Sequence, residues 1–330
     1  MTATMDHTAD PGVEAPRRLR RGAGQKPPKQ SRTRPQKPPK RARRTPSAGP
    51  PGAAESTAAV LSSTFTMVAI VCLWVAVQLL FLSSISQNRA QDLLYDQFRG
   101  ELAGATAPVG PVVPPGDPVA LLTIPSIGLE QVVVEGTASG DLLVGPGHRR
   151  DTALPGQVGT SVVYGRAAAY GGPFADLTEL SAGDRIEVHA GQGRKVFRVS
   201  GVRRAGDPLP RPAAEGAARL TLVTAEGSGR LGALAPESVV YVDADAKKGY
   251  PAPAGRAAAV PESEQSMARD TSALPLLALC LALLLALTLG VIAARQRWSA
   301  ALVWVVATPL VIALSWATTD VVMRLLPNLI

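Results

Sequence analysis

Three uncharged apolar runs constrain what this 330-residue chain can fold into: residues 60–82, 273–294 and 300–317 contain no Asp, Glu, Lys or Arg. A helix rises about 1.5 Å per residue, so about 20 such residues cross a hydrocarbon layer of about 30 Å. The spacing predicts three transmembrane helices, over 58–83, 273–294 and 299–322. A cleaved leader would have a shorter apolar region placed closer to the start of the chain, so the first run reads as an anchor. Between the last two runs lie only Arg295, Gln296, Arg297, Trp298 and Ser299. A short basic loop with an interfacial tryptophan belongs on the cytoplasmic side, so these runs form a hairpin entered from outside. Pro309 is tolerated within a membrane helix when its neighbours satisfy the freed carbonyl. Asp320 and Arg324, four residues apart, fall on one helix face as an interfacial pair.

Charge gives the same orientation independently. Thirteen of the 34 Lys and Arg residues lie between Arg17 and Arg44, a window without an acid, leaving 21 basic against 26 acidic residues elsewhere. The excess positive charge therefore sits in one tail rather than on a folded face, which argues against a specific nucleic-acid binder. Residues 1–57, with repeated Lys-Pro-Pro as at Lys26, Pro27 and Pro28, hold too little apolar surface to offset chain entropy, and are expected to be a disordered cytoplasmic tail. The expected location is the cell membrane, multi-pass, with the N-terminus cytoplasmic, residues 84–270 outside, and the lipid bilayer, including anionic headgroups, as a partner.

Cys72 and Cys280 both lie in apolar runs, so they build neither a disulfide framework nor a soluble metal cluster. His7, His148 and His189 have no ligand spacing. No metal and no cofactor are expected.

The segment 84–118 reads as a stalk helix over 87–98 followed by a Pro-rich linker over 105–118. Between 119 and 243 the pattern changes to short β-rich runs, at 119–124, 131–134, 161–164, 185–188, 195–199, 220–224 and 238–242, with turn residues between them. Such a series predicts a mainly β domain, a barrel or sandwich, and about 125 residues suffice for one core. Residues 244–272 read as a flexible tether. Only 4% of residues are aromatic against 31 Gly and 29 Pro, a small-residue bias that fits a GC-rich actinobacterial genome.

Residues 119–243 also carry ordered motifs: Ile124 to Leu129 (IPSIGL) then Val132 to Gly136 (VVVEG); Gly145 to His148 (GPGH) then Ala153 to Gly159 (ALPGQVG); Val162 to Gly165 (VVYG), Gly171 to Leu177 (GGPFADL) and Leu180 to Val188 (LSAGDRIEV); and Leu220 to Thr224 (LTLVT). In this order they resemble the sortase family, closest to its class D and E members from Gram-positive bacteria. The resemblance implies an eight-stranded β-barrel at the cell envelope. It also implies cysteine transpeptidase chemistry, in which a sorting signal is cut, held as a thioester and passed to an amine of the cell wall or a pilin.

That chemistry needs a thiolate, an imidazole acid/base and an arginine beside the developing oxyanion. By the resemblance, the histidine position after Gly165 holds Arg166, the cysteine position after Thr224 holds Ala225, and Glu237 precedes the last strand where the arginine is expected. A methyl group cannot attack a carbonyl, and a guanidinium does not shuttle protons at neutral pH. The hydroxyls of Ser161 and Thr224 lack an evident base. The expectation is a pseudoenzyme, a binding or scaffold module whose groove is made more cationic and slightly wider, with Arg166, Thr224 and Arg230 as candidate contacts. The alternative is an accessory subunit, or an atypical member, of a cell-wall anchoring transpeptidase system. The implied partners are a secreted sorting-signal protein or an active sortase.

Overall fold

A computed structural model describes residues 65, 69–78, 82–227 and 236–330. The expected tail over 1–57 and most of the first expected membrane span over 58–83 lie outside the described residues, as does Arg230.

The β-branched and leucine-rich runs become strands: β1 (Pro118–Ile124), β2 (Leu129–Glu135), β4 (Gly159–Tyr164), β5 (Arg185–Ala190), β6 (Gly193–Arg204), β7 (Ala218–Glu226) and β8 (Ser238–Ala246). The eighth, β3 (Gly147–His148), has two residues and joins β2 to β4. The strands close into a barrel in the order β1-β2-β3-β4-β7-β8-β6-β5, with β1 and β5 completing the circle. Alternation along each strand sorts the side chains into two sets. Val163, Leu220, Leu222, Phe197 and Val242 fill the barrel core, whereas Tyr164, Val223 and Ala225 belong to a second cluster.

Two pairings are parallel, β2 with β3 and β4 with β7. The second positions the site. Tyr164 stands opposite Val223, and the Gly165 N–H donates to the Val223 carbonyl at 3.0 Å, so the residues that follow both strands emerge side by side.

The expected stalk is a longer helix, α1 (Ser83–Ala103), and it is docked rather than free-standing. Gln87, Gln91 and Phe98 are buried on it. Because β3 pairs only at Val134 and Glu135, β2 has a stretch without a strand partner on that side. The Gln91 amide fills this gap as a peptide group would: its oxygen accepts from the Val132 N–H at 2.7 Å, and its nitrogen donates to the Val132 carbonyl at 3.1 Å and the Val144 carbonyl at 2.8 Å. The residues read as a linker also differ from expectation, since Val113 enters the barrel core.

The segment read as a flexible tether is strapped to the barrel. Tyr250 exchanges backbone hydrogen bonds with Gly156 and Val158, and the Lys195 ammonium lies 3.8 Å from the centre of its ring. Further on, Arg150 is paired with Glu264, and the Glu264 carbonyl accepts from the Thr137 hydroxyl at 2.7 Å. These anchors were not apparent beforehand because each joins residues far apart in sequence.

Helices α2 (Leu274–Arg295) and α3 (Ala300–Arg324) form the hairpin. Among the described residues two helices are long and apolar enough to cross a membrane, against the three expected spans. Leu276, Leu279, Leu283, Val305 and Leu310 point outward, an arrangement that suits hydrocarbon rather than water. Asp320 does not simply face Arg324, because its carboxylate accepts the Tyr170 hydroxyl at 2.5 Å and so ties α3 to the loop after β4.

Candidate functional site

Gly165 lets β4 end tightly against the loop that follows. A Cβ at this position would overlap the ring of Phe174, so only a hydrogen fits there. The next residue, Arg166, is turned inward and is wholly buried, not set on a solvated groove wall. Its Nε donates to the Leu142 carbonyl at 3.2 Å, Nη2 to the Ser139 carbonyl at 2.9 Å and hydroxyl at 2.8 Å, and Nη1 to an Ile330 oxygen at 2.8 Å. The Tyr170 ring centre lies 5.6 Å from the guanidinium carbon. A buried charge is costly unless its donors are satisfied. Burial pushes the Arg166 guanidinium down to about 10, with Tyr170 acting in the opposite sense. It therefore remains charged at neutral pH, held by main-chain oxygens and a hydroxyl.

Ala225 closes the other side. It shares an apolar cluster with Leu142, Tyr164, Ala167, Val223 and Leu329, flanked by Met267. The expectation of a wider, more cationic groove is corrected by these two residues together: the alanine is buried in one apolar cluster with Leu329, and the guanidinium is spent on fixed acceptors.

Thr224 is correspondingly corrected as a groove contact. Its alternation places it with Leu220 and Leu222 on the core-facing side of β7; it is buried, and its hydroxyl has no hydrogen-bond partner among the described residues. Ser161, buried on the matching side of β4, likewise has none. Neither hydroxyl has a base beside it, as nucleophilic activation requires. Glu237 lies exposed at the start of the β8 arm, its N–H donating to the Glu226 carbonyl at 2.9 Å.

His148 is buried in β3 with both ring nitrogens committed. Nδ1 lies 2.8 Å from Glu135, and Nε2 lies 2.8 Å from the Ala153 carbonyl and 3.0 Å from the Thr152 hydroxyl. These fixed partners make it a structural brace between β2 and the turn after β3. Half-buried His189 stands 4.0 Å from Glu187 on β5.

Residues 326–330, together with Ser139, Leu142 and Met267, complete the site and were not singled out by sequence. No motif marks them. Pro327 and Asn328 signal only a turn, and the partners that Asn328 finds lie 60 or more residues away.

The model of the Sortase domain matches residues 122–246. Those residues are a sortase domain. The sortase domain thus spans β1 to β8 apart from the first few residues of β1, and it contains Arg166 and Ala225, whereas the hairpin and residues 326–330 lie outside it. Similar solved structures include a sortase D5 transpeptidase from Clostridium perfringens (19% identity, 48% of this chain and 96% of that one, TM-score 0.38). Others are the SrtF sortase from Corynebacterium diphtheriae (22%, 47% and 96%, TM-score 0.36) and sortase E from Streptomyces avermitilis (25%, 46% and 100%, TM-score 0.34). No curated protein matches the chain.

Proposed function

We propose that this chain is a membrane-anchored protein of the cell envelope whose sortase domain does not catalyse transpeptidation and works by binding, as a scaffold or presenting module for a secreted protein. The observation that supports this reading is the end of the β4/β7 pair. There the positions that by family resemblance carry imidazole and thiol hold Arg166, locked among main-chain oxygens, and Ala225, buried in an apolar cluster. Acyl transfer needs a nucleophile and a group that takes and returns its proton. A guanidinium bound in this way offers no vacant nitrogen, and a methyl group has no lone pair.

The apolar outer face of the α2/α3 hairpin supports membrane anchorage, and the basic loop at Arg295 and Arg297 supports the orientation in which the domain faces outward. The test is mass spectrometry of the purified chain incubated with sorting-signal peptides and an amine acceptor. The expected outcome is no acyl adduct and no transpeptidation product. A time-dependent product, made by protein free of other sortases, overturns the proposal.

A further inference from the structure

The segment after α3 does not trail away from the molecule. Residues 327–330 form a turn, with the Ile330 N–H donating to the Pro327 carbonyl at 3.3 Å, and this turn sits at the end of the β4/β7 pair. Asn328 and Leu329 are fully buried. Four main-chain positions grip the turn as a peptide is gripped. The Ala167 N–H donates to the Leu329 carbonyl at 3.0 Å, the Asn328 N–H to the Ala268 carbonyl at 3.0 Å, and the Asn328 side-chain amide to the Thr137 and Gln265 carbonyls, both at 2.8 Å. Arg166 Nη1 takes the Ile330 oxygen. Between these polar anchors the Leu329 side chain enters the apolar pocket of Leu142, Tyr164, Ala167, Val223 and Ala225, all five of them in the sortase domain. The Asn328 Oδ1 is buried without a hydrogen-bond partner among the described residues.

We propose that residues 326–330 are a ligand held in cis: the end of the β4/β7 pair is a peptide-binding site for a turn-forming Leu-Pro-Asn-Leu-Ile segment, and the chain's own copy occupies it. Leu329 is its specificity-determining side chain, and Arg166 reads a main-chain oxygen beyond it. The site takes a peptide with a leucine between two hydrogen-bonded peptide groups. Occupation closes the route to Ala225, so an external peptide binds only when the cis segment leaves. This inference rests on the reading of the site as a binding rather than a catalytic one.

The test uses the full chain in detergent with Cys72→Ala and Cys280→Ala, and a reporter thiol introduced by Ala225→Cys. In the otherwise intact chain this thiol should react slowly with a maleimide. Leu329→Asp, or deletion of residues 326–330, should raise the rate about tenfold or more, as expected when local opening is removed as a step. A synthetic peptide of residues 326–330 should restore protection to the deleted chain. A parallel reporter made by Val199→Cys, in the barrel core, should stay protected throughout. Equal rates with and without the cis segment overturn the proposal, as does failure of the peptide to protect. Labelling of the Val199→Cys reporter after deletion also overturns it, by showing that the segment is part of the folding core. A transpeptidation product from the unmodified chain would instead sink the non-catalytic reading, while the labelling rates would still report whether the segment occupies the site.

Discussion

Asp141 sits in the turn that supplies Leu142 to the Arg166 site, and its carboxylate accepts from the Ala138 N–H at 3.3 Å. Burial pushes this carboxyl up to about 6, the Ala138 hydrogen bond works the other way, and Glu264 raises it further. A raised folded-state pKa gives a contribution to stability that is complete below the unfolded value near ~4 and is lost as pH rises through about 6. Asp141→Asn, which stays neutral, should therefore exceed the parent in stability by about 1–2 kcal/mol at pH 7.5 and match it near pH 4. Thermal melts of the two proteins across that range would show it; a gap that does not change with pH would mean that Asp141 does not titrate as described. Arg166 is another ionisable residue, this one wholly buried, whose environment decides its role. Its identity was readable in sequence, but its direction was not. Inward rotation depends on acceptors from Ser139, Leu142 and Ile330, the last of them 164 positions away.

Among the elements, α1 offers the sharpest test of how the barrel is completed. Gln91 substitutes for a missing strand beside β2, so Gln91→Ala should leave the Val132 N–H, the Val132 carbonyl and the Val144 carbonyl without their partner. A loss of about 2 kcal/mol is expected, since buried groups deprived of partners forfeit their desolvation cost. Denaturation of the detergent-solubilised variant would measure it, and an unchanged midpoint would mean that water replaces the amide without penalty. The same element marks the limit of pattern reading. Seven strands were legible because each spans six or more residues with at least two β-branched ones, while two-residue β3 is defined by its neighbours and carries no period. The helix at α1 was legible as a helix, but its docking was not, because the burying face presents two glutamines where a hydrophobic stripe is usually sought. The linker and tether were misread for a related reason: Val113, Tyr250 and Glu264 are isolated anchors within Pro- and Gly-rich sequence.

For the whole molecule, the charge asymmetry of the sequence and the apolar hairpin together set the prediction of topology. In intact cells, with Cys72 and Cys280 replaced, a thiol introduced by Ser181→Cys should react with a membrane-impermeant reagent, and one introduced by Ser31→Cys should not. The reverse pattern would invert the orientation. The number of barrel strands was accessible through the family resemblance that the ordered motifs carry. The occupied site was not, because it is assembled from the sortase domain, the strap near Glu264 and the residues beyond α3, which no local pattern connects. Closure of the sheet between β1 and β5 has a further consequence for recognition. With its first and last strands paired, the sheet has no free edge at that seam, so recruitment by β-strand addition there is denied to a client protein. Whatever docks here must read side chains and loop ends, and its discrimination will be written in shape and in individual hydrogen bonds.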